Sequence, residues 1–507
     1  MTLAPCLMVQ GTASGVGKSL LVAALCRIFA RAGHRVAPFK AQNMSLNAAV
    51  VEGGEIGRAQ AAQAAAAGVV AGLDMNPVLL KPEADDRSQV VVRGRAVASL
   101  DWRGYARLAP TLWPVVAESL ERLRRAHDLI VIEGAGSPAE INLPVDLANM
   151  RVAALASAPV ILVGDIERGG VFAALVGTLA LLAPDDRARV AGVVVNRFRG
   201  DATVLAPGLA MLTARTGVPV LGVVPHLGDA VPPEEDSLGL HALVREPPDA
   251  VVQIAVLRLP RIANFDDVEP LAREAAVAVS FATTPAEVDR ADVVIVPGTK
   301  SSVDDLAWLR ERGLDAAIAR AAAAGRTVIG LCGGYQLLGE RLDDPEGVES
   351  STRSARGLGV LPVNTTFARA KTTVRVRARV LSGGPFGGAA GAVVDGYEIH
   401  CGQTTPHGGE RVFAMLERGA AADDALDGTR QGHVLGTYLH GCFASGPLRR
   451  ALLAHAATRR GAMPDARWGV EATADRYDVL ADRVGAALDL EALGRLVRRP
   501  LTAETAR

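Results

Sequence analysis

The stretch RTVIGLCGGYQLLGE, residues 326–340, leaves the chain few choices of fold. Val328, Ile329 and Leu331 form a short apolar run that fits a buried strand. Gly333 and Gly334 follow, and Tyr335 to Leu338 begin a helix. A buried strand that turns sharply into a helix commits this part of the chain to an α/β fold. Cys332 sits on the turn, where its sulfur is exposed and a helix N-terminus beneath it favours thiolate. The glycines let backbone N–H groups approach an oxyanion closely. A single cysteine is ordinarily a buried, inert thiol, but a strand-to-helix turn with two glycines points to a nucleophile.

With 507 residues, several domains are expected. Apolar residues make up 49% and charged residues 21%, a globular rather than a disordered balance. A net charge of -1 offers no basic footprint, so neither nucleic acid nor an anionic membrane is an expected partner. The five cysteines are too scattered for a disulfide framework and fit a reducing compartment. The start, MTLAPCLMVQG, lacks the features of a signal peptide. No apolar run reaches the ~18 residues of a membrane span. A cytoplasmic location is expected.

In the first half, residues 3–9 read as an apolar strand. They lead into Gly11-Thr12-Ala13-Ser14-Gly15-Val16-Gly17-Lys18-Ser19 and then a helix with Leu21, Leu25, Ile28 and Phe29 on one face. Strand, glycine loop, GKS and helix make a phosphate-binding loop. Its backbone N–H groups cradle phosphates, Lys18 neutralises the outer ones, and the Ser19 hydroxyl can bind Mg²⁺. Gly11 stands one residue further back than the usual spacing, and Thr12 holds the expected glycine position. That form is similar to the nucleotide loop of dethiobiotin synthetases. Further strands are expected at 35–39, 128–133, 158–164, 190–196 and 219–224, in a mostly parallel sheet covered on both faces. Ligands in such sheets lie beyond the carboxyl ends of the strands. Lys40, Glu133, Asp165 and Asn196 stand at such ends. Glu133, opposite the phosphate loop, suits a Mg²⁺ ligand; Asp165 is a weaker one; Asn196 suits an adenine edge.

Residues 225–250 are rich in proline and acidic groups and read as a connection. A new α/β pattern starts at 251–259. The strand ADVVIVPGT, 291–299, ends in a glycine turn whose Gly298 can offer another N–H near Cys332. A β-rich stretch follows, with strands at 372–380 and 392–400. His440 closes the strand in HVLGTYLHGCF. Beyond 445 the chain becomes helical and basic, and its end is expected to be a helical appendage. The expected division is 1–230, a phosphate-loop domain; 231–250, a linker; 251–448, the thiol domain; and 449–507, the extension.

A thiol nucleophile needs a base, and His440 is the best-placed partner, with His400 second. Cys442 has no glycine turn and helix after it. His400-Cys401 and His440-Cys442 lack zinc-site spacing. Nucleotide activation and thiol hydrolysis meet in one chemistry, glutamine-dependent amidation. ATP converts an unreactive carboxylate to an acyl phosphate; the thiol releases ammonia from glutamine; one chain keeps the two together.

Long stretches then carry a resemblance. They are PFKAQNMSLN (38–47), GGEIGRAQAAQA (53–64), MNPVLLKP (75–82), EGAGSPAEINL (133–143), RGGVFAALVGTL (168–179), NRFRGD (196–201), PGTKS (297–301), GLCGGYQLLG (330–339), GYEIH (396–400) and GTYLHG (436–441). From about residue 4 to 485 the chain resembles the cobyric acid synthases, glutamine-dependent amidotransferases of adenosylcobalamin biosynthesis. The resemblance implies a dethiobiotin-synthetase-like phosphate-loop domain with a parallel sheet, followed by a class I, flavodoxin-like glutamine amidotransferase domain. It implies amidation of four peripheral carboxylates (b, d, e, g) of adenosylcobyrinic acid a,c-diamide, with ATP, Mg²⁺ and glutamine. By motif, the nucleophile falls on Cys332 and the histidine on His440, with Gly298, Gly333 and Gly334 around the oxyanion and the glutamine. Lys40, Asn43, Asn47, Arg58, Gln60 and Arg168 are polar groups available to corrin or phosphate. Gly15 departs from the family's usual acidic residue and matches the related a,c-diamide synthases, the nearest alternative; a partition-like phosphate-loop regulator with an inactive amidotransferase module is the other. Cys442 stands where class I relatives have a triad glutamate. That leaves a Cys-His pair, or an imidazole oriented by Glu398.

Overall fold

The structure, a computed structural model, describes residues 3–84, 86–142, 146–228, 243–381, 383–470, 475–499 and 501. The chain divides into two compact units. Met1–Ser45, Glu55–Gly239 and Thr473–Arg507 make the first; Leu46–Gly54 and Leu240–Ala472 make the second.

The first unit is built on six parallel strands: β1 (Cys6–Gly11), β2 (Val36–Phe39), β3 (Leu129–Glu133), β4 (Val160–Asp165), β5 (Val190–Phe198) and β6 (Val220–Pro225). Their order is β6-β5-β4-β1-β3-β2. CLMVQG, LIVIE and VILVGD are buried at every residue. Strands covered on both faces read as continuous apolar runs, which is why these segments show no alternation. Helix α1 (Lys18–Arg31) follows β1 and buries Leu21, Leu25, Ile28 and Phe29. Each such side chain contributes roughly 1.5–3 kcal/mol on burial. Helix α2 (Arg58–Ala66) packs beside it.

The second unit has its own sheet: β7 (Val252–Leu257), β8 (Val277–Ala282), β9 (Val293–Val296), β10 (Thr327–Leu331), then β13 (Thr429–Gln431) and β14 (Val434–Thr437). Between β10 and β13 lie two long antiparallel strands, β11 (Val363–Val380) and β12 (Val393–Pro406). The sheet order is β8-β7-β9-β10-β14-β13, parallel except for the last pair. Helix α3 (Gly333–Leu338) leaves β10. Among the described residues, no helix is long and apolar enough to cross a membrane.

Two expected boundaries change. The end of the chain is not an appendage. Helix Gly446–Arg459 belongs to the second unit, while Arg476–Gly485 and Leu490–Leu496 belong to the first. Leu480, Val484, Leu490 and Leu493 form an apolar stripe that packs into the core around α1. Arg27 Nε bonds Asp478 Oδ1 at 2.7 Å, and Arg31 Nη2 bonds Asp482 Oδ1 at 2.8 Å. Leu46–Gly54, expected inside the first domain, is part of the second unit. There the Ala48 N–H donates to Asn264 Oδ1 at 3.1 Å and the Val50 carbonyl accepts from Arg375 Nε at 3.1 Å. Of the expected linker 231–250, residues 231–242 lie outside the described residues.

Candidate functional site

Two sites emerge, one in each unit. In the first, the loop after β1 bends at Gly17, whose φ of 92° is a left-handed conformation that glycine adopts without strain. The first turn of α1 carries no acidic residue, so its N-terminal N–H groups and the positive end of its dipole favour an anion. Lys18 Nζ donates to the carbonyls of Ala13 at 2.9 Å and Gly136 at 3.1 Å. A cleft of about 110 Å³ opens here, lined by Ser14, Gly15, Gly17, Lys18, Ser19, Lys40, Asn43, Met44, Glu133, Ala135 and Gly136.

Register puts Glu133 beside this loop, because β3 pairs with β1 through Val9 and Glu133. Glu133 Oε1 accepts from Ser19 Oγ at 2.8 Å and from Lys40 Nζ at 2.7 Å; Oε2 accepts from Gln63 Nε2 at 2.5 Å. Burial alone would raise the Glu133 pKa. The Lys40 ammonium, these hydrogen bonds and the charge of Lys18 carry it below the ordinary value instead. An ionised carboxylate oxygen thus stands 2.8 Å from a hydroxyl oxygen. Adjacent ligands of an octahedral ion with bonds of about 2.0–2.1 Å lie about 2.9 Å apart, so the pair fits a small hard cation.

Other expected residues lie elsewhere. Thr12 does not line the cleft; its N–H donates to the Val163 carbonyl at 2.9 Å. Asn196 Nδ2 donates to the Val16 carbonyl at 2.8 Å, so that amide group holds the loop. Asp165 accepts from Arg197 Nη1 at 3.0 Å and from the Glu167 N–H at 2.8 Å. Arg168 is exposed, with its Nε 3.8 Å from Asp165. Asn47 belongs to the second unit and not to this cleft. Gln63 was not singled out in the sequence, because an alanine-rich helix gives it no local signal.

In the second unit, Cys332 has φ 50° and ψ −107° at the junction of β10 and α3. This conformation is strained, and the side chain is buried, 8% exposed, rather than exposed as the turn alone suggests. Gly334 is required: a Cβ there would run into the Val296 carbonyl oxygen. The first N–H groups of α3 have no intrahelical acceptor. Gly298 pairs with Ala263, and His440 Cε1 lies 3.3 Å from where a Cβ on Gly298 would stand.

His440 follows β14, which pairs with β10, so register brings the imidazole alongside Cys332. Cys332 Sγ lies 3.5 Å from the Ile399 carbonyl, and His440 Nε2 lies 3.5 Å from Asn264 Nδ2. His440 Nδ1 donates to Asp267 Oδ2 at 2.6 Å, and the Gly441 N–H donates to Asp267 Oδ1 at 2.7 Å. Tyr397 stacks on the imidazole, with centroids 5.1 Å apart and planes 13° from parallel. Burial opposes charging of His440. The charge of the Asp267 carboxylate and its hydrogen bond, with Cys332 nearby, outweigh it and hold the pKa well above that of an ordinary histidine.

The suggestion that Glu398 orients the imidazole is therefore corrected. Alternation along β12 puts Glu398 on the face opposite Tyr397. It accepts from Arg418 Nη2 at 3.1 Å and lies 3.8 Å from His400 Nε2. His400 stacks on Tyr438 and bonds the Gly402 carbonyl at 2.7 Å. Burial raises the Cys442 thiol well above its ordinary pKa. Asp267 was missed because Asn264-Phe265-Asp266-Asp267 looks like an ordinary acidic turn.

Comparison with known proteins adds to this geometry. Residues 7–232 match the family described as "CobQ/CobB/MinD/ParA nucleotide binding domain", and residues 253–448 match the "CobB/CobQ-like glutamine amidotransferase domain". A cobyric acid synthase of Sorangium cellulosum is 55% identical over 511 residues, covering 97% of this chain and 98% of its own. One from Desulforudis audaxviator is 50% identical, covering 94% and 97%. One from Dehalococcoides mccartyi is 47% identical, covering 96% and 98%.

Proposed function

The chain belongs to the cobyric acid synthase family, and on that premise we propose how its residues divide an ATP- and glutamine-dependent amidation. It is a glutamine-hydrolysing ligase acting on a corrin. The proposed substrate is adenosylcobyrinic acid a,c-diamide, amidated at its b, d, e and g carboxylates.

At the thiol site, the Cys332 thiolate attacks the side-chain amide carbon of glutamine. The C–S bond forms and the carbonyl electrons move onto oxygen, next to the N–H groups of Gly333 and Gly334 and the backbone at Gly298. Collapse breaks the C–N bond, and His440 delivers its proton to the departing nitrogen as ammonia. His440 then takes a proton from the water that cleaves the thioester, and glutamate leaves. Asp267 holds Nδ1–H, which keeps Nε2 turned to the sulfur and stabilises the imidazolium.

At the nucleotide site, the loop N–H groups and Lys18 hold the phosphates of ATP. Ser19 and Glu133 are the residues that would hold Mg²⁺, which neutralises phosphate charge when bound. A corrin carboxylate oxygen attacks the γ-phosphorus and ADP leaves. Ammonia then attacks the acyl phosphate, forming the amide and releasing phosphate. Asn43 and Lys40 line the cleft where the carboxylate would enter.

The observation that carries this reading is the buried Asp267–His440 pair at the end of the strand that pairs with the one leading into Cys332 and its strained turn. Cys332→Ala tests it. Amidation with glutamine is expected to vanish while amidation with ammonium salts continues. Persistence of the glutamine reaction would remove Cys332 from the nucleophile role. Product mass counts the amides: four added to the a,c-diamide are expected, whereas amidation of only the a and c carboxylates of the parent acid would reassign the substrate.

A further inference from the structure

Helix α2, RAQAAQAAA, is mostly alanine, yet it buries two amide side chains, Gln60 and Gln63. A buried amide is costly unless it is hydrogen-bonded. Three residues apart, the two share one face of the helix. Gln60 Oε1 accepts from Nδ2 of cleft-lining Asn43 at 3.1 Å. Gln63, 1% exposed, donates from Nε2 to Glu133 Oε2 at 2.5 Å and to the Ser19 carbonyl at 3.3 Å. One amide nitrogen therefore ties the acid at the end of β3 to the first turn of α1.

This makes the two oxygens of Glu133 unequal. Oε2 is occupied by the amide N–H; Oε1 faces Ser19 Oγ at 2.8 Å and Lys40 Nζ at 2.7 Å. We propose that Gln63 is a positioning residue: it fixes the rotation of the Glu133 carboxylate so that Oε1 is presented beside Ser19 to the divalent cation that accompanies the nucleotide. The proposal rests on the reading of Ser19 and Glu133 as the cation's residues. An amide NH₂ donates only, so the Nε2 of Gln63 cannot itself be a ligand and acts through the acid. Without it, the carboxylate is free to turn and to give both oxygens to Lys40.

Gln63→Leu and Gln63→Met keep much of the side-chain volume and remove the donor; Glu133→Gln is the reference. ATP affinity is measured by calorimetry across a Mg²⁺ titration and again in EDTA, with ammonia-dependent amidation followed over the same Mg²⁺ range. Removal of a group that orients a metal ligand costs roughly 10–100-fold in metal affinity. Both Gln63 variants are therefore expected to need about that much more Mg²⁺ for half-maximal binding, with unchanged ATP affinity in EDTA and unchanged glutamine hydrolysis. Wild-type Mg²⁺ dependence in both variants, alongside its loss in Glu133→Gln, would overturn the inference alone. Equal weakening with Mg²⁺ and in EDTA would also overturn it, since Gln63 would then only shape the loop. Wild-type Mg²⁺ dependence in Glu133→Gln would overturn the underlying reading of the acid.

Discussion

Asp267 Oδ2 lies 2.6 Å from His440 Nδ1, although 173 positions separate the two residues in the chain. Both are almost fully buried. The carboxylate is fixed from its other side by the Gly441 N–H, so the imidazole is held by an acceptor that cannot turn away.

That relationship predicts the behaviour of Asp267→Asn. Asp267 is the largest influence raising the His440 pKa. Removing its charge takes away the largest raising influence and lowers that pKa, so the imidazolium is lost at lower pH. Glutaminase kcat/KM is expected to fall roughly 10²–10⁴-fold, the usual scale for general acid–base groups. The alkaline limb of its pH profile is expected to move to lower pH. Ammonia-dependent amidation should be unchanged. Glu398→Gln should leave the alkaline limb in place; a shift there as large as for Asp267→Asn would restore Glu398 as the orienting acid.

Lys18 lies across the mouth of the phosphate loop, bonded to the Ala13 and Gly136 carbonyls. Lys18→Ala removes the ammonium that neutralises the outer phosphates. Amidation is expected to be lost with either glutamine or ammonia, while hydrolysis of glutamine continues. Calorimetry should show weakened ATP binding; unchanged affinity and turnover would set the loop aside as the nucleotide site.

The last helices are held by their apolar stripe. Leu493 is fully buried in the core around α1. Leu493→Ala should destabilise the first unit by about 2–5 kcal/mol, as for other buried leucines. Denaturant unfolding followed by a probe in that unit measures it. A change within ~0.5 kcal/mol, as for a surface site, would mean that these helices contribute little to the core.

What was legible in the sequence was what neighbours in the chain decide. Continuous apolar runs announced β1, β3, β4 and β10, because a strand covered on both faces has no polar side. The turns at Gly17 and at Cys332 were legible because strand, glycines and helix start are adjacent. Strand-end position singled out Glu133 and His440, since side chains there leave the sheet on its ligand side. The stripe of Leu480, Val484, Leu490 and Leu493 was present but was passed over in a basic segment.

Tertiary structure alone decided which polar groups meet. Asp267 reaches His440 only because the turn after β7 is folded against the end of β14, and no spacing in the chain encodes that approach. Gln63 reaches Glu133 only because α2 packs beside α1. Arg27 and Asp478 pair only once the chain has returned to the first unit. Short-range sterics and periodicity write strands, turns and helices into local sequence. The partner of a buried charge is selected by long-range packing, and one chain read in order carries no mark of it.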